Sequence, residues 1–173
     1  MLPIVLWLVY AVPAYILWTL VFRLRYGFSP VAERFPPRNL YQWMDTLLFV
    51  MLFGYSAWLV FGPRTDPAQA VSVPVGVGVW AIGVGLRGWA VYALGKHWRI
   101  WQDEKDERAA FVATGPYRLI RHPINAALVL VAAGMTLITG PEARALVLLG
   151  VSVVYYVVQG RAEDRRWRHR ESE

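Results

Sequence analysis

Residues 115–123 read Gly115-Pro116-Tyr117-Arg118-Leu119-Ile120-Arg121-His122-Pro123, a polar stretch punctuated by glycine and proline between two strongly apolar ones. The chain is 57% hydrophobic and only 17% charged. Arg, His and two prolines concentrated at such a junction point to binding there. The stretch belongs at a membrane surface, just before a helix re-enters lipid. A polar cofactor meeting an apolar substrate suits that position.

Outward from this stretch, the chain reads as one all-α integral-membrane domain covering residues 1–173. Nine Trp, nine Tyr and a mean hydropathy of +0.36 belong to a protein whose exterior faces lipid. Five apolar runs are predicted as spans, at about 2–22, 43–61, 73–94, 124–139 and 143–158. The first lacks a basic flank and a small-residue cleavage site, so it reads as a retained span and not as a signal peptide. The last two are short and joined by Gly140-Pro141-Glu142, which predicts a tight C-terminal helical hairpin. A cofactor loop over 95–123 and a tail over 161–173 complete the scheme. Phe111-Val112 suits a small strand or an interfacial anchor. Tyr26, Tyr41, Trp43, Trp98 and Trp101 fall where an aromatic belt would place them.

The basic residues set orientation. Arg23, Arg25, Arg34 and Arg38 follow the first span, six Lys and Arg lie between the third and fourth, and five Arg follow the fifth. Only Arg64 and Arg144 lie on the opposite side, with Arg87 inside the third span. The positive-inside rule then puts the N-terminus outside and the cofactor loop and C-terminus in the cytoplasm. These positive charges flank apolar spans and form no groove-like run, which argues against nucleic acid as a partner despite the formal charge of +6. Without cysteine there is no disulfide, thiolate metal site or cysteine nucleophile.

Within the third span, Gly78, Ala81, Gly85 and Gly88 recur every three or four residues, a stripe that predicts close approach of another helix. Arg87 in the same span suits either snorkelling to the interface or a buried polar role. At the start of the fourth span, Pro123 occupies a first-turn position where its missing N–H costs nothing. His122 then sits beside the free N–H groups of a helix start, which favour an anion, and Arg118 and Arg121 add positive charge. From spacing alone, an ordinary cap with snorkelling arginines is the better of the two readings.

Leu94-Gly95-x-x-Trp98 followed by Gly115-Pro116-Tyr117-Arg118-x-x-Arg121-His122-Pro123 resembles the isoprenylcysteine carboxyl methyltransferase family, part of a wider group that includes phospholipid methyltransferases. The resemblance covers roughly the C-terminal half. It implies S-adenosylmethionine bound at the cytoplasmic face and a lipophilic small-molecule substrate, such as a carboxylate, entering between helices from the surrounding membrane lipids. The implied cofactor contacts are Gln102, Ala109, Ala110, Phe111, Val112, Tyr117, His122, Pro123, Ile124 and Asn125. An arginine after the last span contacts substrate in the family, and Arg161 matches it. One of the family's paired acids contacts the cofactor, and here that role goes to Glu163. Asn125 stands where the family usually has tyrosine, and its aromatic-rich tail is not matched. A smaller substrate, a more open site or lost activity would each account for that.

The chemistry suits these residue types. Methyl transfer from a sulfonium is an in-line displacement governed by positioning and desolvation. An aromatic face holds the sulfonium by cation–π attraction, His122 holds the methionine carboxylate, and Arg161 holds an acidic substrate group. Two other classes share features of the motif. A sterol-reductase-like NADPH enzyme has a related Arg-His-Pro element, usually with Asn directly after Pro, where this chain has Ile124. A non-catalytic membrane interaction protein would keep the scaffold alone.

Overall fold

Glycine and proline set several helix boundaries in the computed structural model, which describes residues 2–12, 16–29, 36–37, 40–61, 73–98, 112–140 and 143–170. Among the described residues the regular structure is helical, with no strand. In chain order the helices are α1 (Leu2–Val12), α2 (Trp18–Tyr26), α3 (Leu40–Phe61), α4 (Val73–Leu94), α5 (Pro123–Thr139) and α6 (Ala143–Arg170). Short 3-10 turns occupy Gly95–His97 and Gly115–Arg118. Val112, half of the predicted small strand, has no regular structure.

Two of these helices, Val73–His97 (α4 with its 3-10 extension) and the Ala143–Arg165 part of α6, are long and apolar enough to cross a bilayer by themselves. Only 28% and 22% of their apolar windows are buried within the protein, whereas the core helix of a soluble domain is mostly buried. Among the described residues, two of the five predicted spans meet the requirements of length and apolar composition together, and α3 has the length, at 22 residues. α5, at 17 residues, is a shorter apolar helix. The predicted first span corresponds to α1 and α2, and α2 runs past the expected end at Phe22 to include Arg23 and Arg25.

The chain divides into two units. One comprises Met1–Pro63 with Leu94–Phe111. Here α1 meets α3 through Trp7, whose ring lies tilted at 5.0 Å from Phe53 and which donates its indole N–H to Ser56 Oγ at 3.2 Å. Phe22, 1% exposed, centres a second aromatic cluster with Trp18, Tyr26, Phe28 and Trp98 at 5.0–5.9 Å. Trp98 therefore packs into protein and does not face lipid in the expected belt, while Tyr26 is half-buried against the same cluster. Burying several rings in edge and tilted contacts outweighs holding each at the headgroups singly.

The other unit comprises Arg64–Ala93 with Val112–Glu173, and so contains α4, α5 and α6. α4 and α5 approach backbone to backbone through glycines. A Cβ on Gly134 would lie 2.6 Å from the Trp80 nitrogen, one on Gly83 2.9 Å from the Ala127 oxygen, and one on Gly76 2.7 Å from the Ile138 side chain. The predicted stripe is not the one that meets α5: Cβ atoms on Gly78, Gly85 and Gly88 would meet nothing within 4 Å. The two stripes are offset by two residues, about 200° of helix rotation, so they occupy nearly opposite faces. Arg87 lies on the packed face with Gly83 and Ala90 and is buried, which favours the buried reading over snorkelling.

α5 and α6 form the expected hairpin. Gly140 ends α5 at φ 101°, a conformation that side-chain-bearing residues avoid, and its N–H returns to the Thr136 carbonyl. The pairing is antiparallel and keeps one register. Thr136 donates its hydroxyl to the Ala145 carbonyl at 3.3 Å, Asn125 donates its amide to the Tyr156 carbonyl at 3.3 Å, and His122 meets Gly160. α6 does not stop near Val158, where its apolar run ends. It continues as one 28-residue helix to Arg170, so the predicted tail is helical through that residue. At 1.5 Å per residue it is roughly 42 Å long, beyond the ~30 Å of hydrocarbon.

Candidate functional site at the start of α5

The site is built where the motif loop, the first turn of α5 and the polar end of α6 converge. Gly115 opens the loop at φ 60°. A Cβ there would also lie 2.9 Å from the Ala93 side chain and 3.2 Å from the Trp89 indole nitrogen, so backbone conformation and space both require glycine. The 3-10 turn over Gly115–Arg118 buries Pro116 and leaves Tyr117 half-buried. Pro123, fully buried, is the first residue of α5, as its sequence position predicts.

His122 is the N-cap residue of α5, yet its side chain caps nothing. It turns toward α6, with Nδ1 3.2 Å from Glu163 Oε2 and Nε2 3.1 Å from Asp164 Oδ1. The other Asp164 oxygen lies 3.6 Å from the Arg121 guanidinium. Gly160, one turn earlier on α6, makes room for the ring: a Cβ there would stand 3.1 Å from His122 Cδ2. Ala145, Leu148, Ser152 and Gly160 are buried at helical spacing along α6, and Glu163 continues that face. One face of α6 thus packs apolar and small residues on α5 and ends in carboxylates.

Electrostatics follow from this geometry. The hydrogen bond to Glu163 raises the His122 pKa above its ordinary value, burial opposes that, and the charges of Glu163 and Asp164 add to the rise. Burial, then the Glu163 carboxylate, push the Tyr117 phenol well above its usual range. Tyr117 is therefore a neutral hydroxyl at physiological pH, able to donate a hydrogen bond and unsuited to act as a base. The carboxylates also sit beside the positive end of α5, where negative charge is favoured.

Of the sequence-predicted residues, the structure brings together Tyr117, His122, Pro123 and Glu163. Val112 and Ile124 are half-buried nearby in sequence. Asn125 spends its amide N–H on α6, which gives the departure from tyrosine a structural role. Arg161 is exposed and its carbonyl accepts from Arg165 Nε at 3.4 Å. Gln102, Ala109, Ala110 and Phe111 lie outside the described residues. Sequence reasoning gave Gly160 no role and, of the paired acids Glu163 and Asp164, assigned one only to Glu163. The signal for both was helical spacing: Gly160, Glu163 and Asp164 share a face only if α6 continues past its apolar run.

A family comparison covers this part of the chain. A model of the phospholipid methyltransferase family matches residues 71–168, which run from just before α4 nearly to the end of α6 and make up more than half of the chain. No curated protein and no solved structure matches. The Arg-His-Pro loop, the α5–α6 hairpin and the acidic end of α6 all fall inside the matched region, and the chain belongs to the phospholipid methyltransferase family of membrane methyltransferases, to which the isoprenylcysteine carboxyl methyltransferases are related.

Proposed function

We propose that the protein transfers a methyl group from S-adenosylmethionine to a lipophilic small molecule in the membrane, with the motif loop and the end of α6 on the cytoplasmic side. The observation that carries this reading is the meeting of Tyr117, His122 and Glu163 at the start of α5, within the region matched by the methyltransferase family. The donor set fits a zwitterionic cofactor. Glu163 suits its ammonium, while the N–H groups of Ile124 and Asn125, in the first turn of α5, suit its carboxylate. Because both His122 nitrogens face carboxylates, one of these contacts must open before the imidazole itself can hold an anion.

When bound, S-adenosylmethionine supplies an electrophilic methyl on a sulfonium. The residues of this chain bind, orient and shield it. Tyr117 donates a hydrogen bond as a neutral hydroxyl, and the tight Gly115 turn limits water. Arg161, one turn nearer the membrane than Asp164 and exposed, is assigned to an acidic group on the acceptor. The acceptor's apolar part stays in lipid, so acceptor and cofactor approach from different sides.

The test is calorimetric titration of S-adenosylmethionine, S-adenosylhomocysteine and NADPH into the detergent-purified protein, with Glu163→Gln alongside. Saturable binding of both sulfur compounds, weakened about tenfold or more in the variant (about 1.4 kcal/mol), is expected. Absence of binding in folded protein would remove the reading. Selective NADPH binding would replace it with an oxidoreductase.

A further inference from the structure

Glu163 and Asp164 are adjacent on one helix, and their side chains leave it about 100° apart. A single imidazole reaches both because it is lodged between them over Gly160, where no Cβ stands in the way. Neutral imidazole has one N–H and one lone pair, so only the doubly protonated ring can donate to both acids. The two carboxylates have different further neighbours. Glu163 acts electrostatically on Tyr117, on the motif side, whereas Asp164 meets Arg121. The Arg121 side chain is 81% exposed, so this last pair is a weak surface contact. The His122–Asp164 contact, between groups 23% and 28% exposed, is the better sheltered of the two.

We infer that Asp164 is a positioning residue: by accepting from Nε2 of His122 it fixes the plane and protonation of the imidazole, and so holds Nδ1 and Glu163 as a pair facing the cofactor. This rests on the proposed S-adenosylmethionine site. Among the described residues, the charged groups against His122 are Glu163 and Asp164 from α6, with Arg121 on Asp164, and Glu163 also acts electrostatically on Tyr117. Removal of the Asp164 charge takes away no assigned ligand contact. It releases the ring to rotate and to lose its second proton.

The experiment uses the full chain, labelled with 15N-histidine, in detergent micelles. Only His97, His122 and His169 contribute signals, and His122→Gln assigns the resonance. In Asp164→Asn the His122 titration midpoint is expected to fall by about one unit, a tenfold loss of proton affinity. S-adenosylhomocysteine affinity is expected to fall several-fold, with its pH profile displaced to lower pH. Asp164→Glu is expected to restore both. Asp164→Ser serves as the second variant if Asp164→Asn does not fold. An unchanged His122 midpoint would overturn the inference, as would a displaced midpoint with unchanged ligand affinity and pH profile. Failure of the wild-type protein to bind S-adenosylhomocysteine, with the midpoint still displaced by the variant, would instead bring down the underlying cofactor reading.

Discussion

His122 is the residue on which the site turns, and its protonation gives a signed prediction. Its folded-state pKa is raised above the ordinary value, first by the hydrogen bond to Glu163. The stabilisation it gives is therefore fully present below about pH 6.5 and is lost as pH rises through the folded-state value. Thermal unfolding in detergent should show the melting temperature falling across that rise, and His122→Gln should flatten this part of the curve. An identical pH dependence in the variant would show that the imidazole does not carry it. Arg161 makes the complementary case. It is exposed and outside the His122 cluster, so Arg161→Ala should leave S-adenosylmethionine affinity unchanged while lowering turnover at least tenfold. Calorimetry and a methyl-transfer assay separate the two effects, and lost cofactor affinity would reassign the residue.

At the scale of elements, close packing of α4 on α5 depends on which glycines face inward. Gly134→Ala places a Cβ 2.6 Å from the Trp80 backbone nitrogen, a neighbour that yields only if the helices separate. Overpacking of this kind costs about 1–3 kcal/mol, which a lowered unfolding temperature would report. Gly85→Ala adds a Cβ to open space and should be neutral or stabilising by up to about 1 kcal/mol through helix propensity. Equal effects from the two substitutions would contradict the assignment of faces. The sequence shows both stripes with the same spacing, because Gly76 and Gly83 repeat the seven-residue interval of Gly78 and Gly85. Nothing local distinguishes them; the choice lies in the complementary small surface of Gly134 and Ala127 on α5.

At the scale of the whole molecule, charge asymmetry predicts orientation. The chain has no cysteine, so single introduced cysteines report sidedness without background. Ala113→Cys, beside the motif, should react with an impermeant maleimide only from the cytoplasmic side, and Asp66→Cys only from the opposite side. Labelling of both from one side would break the proposed topology, and exchanged sides would reverse it.

Legible from the residues alone are the helical, membrane-adapted character of the chain, the start of α5 at Pro123, the turn at Gly140 and the location of the motif loop. These depend on hydropathy, on proline's missing N–H and on glycine's access to positive φ, all of which are local properties. Packing in three dimensions settles that Tyr26 and Trp98 gather around Phe22, that Arg87 is buried, and which glycine stripe meets α5. It also decided that Glu163 and Asp164 share His122, forty-odd residues away in the chain. That meeting requires α6 to stay helical beyond the end of its apolar run. Hydropathy does not report this continuation, because backbone hydrogen bonding does not end where hydrophobicity does, and the antiparallel register with α5 is set by packing along the whole hairpin.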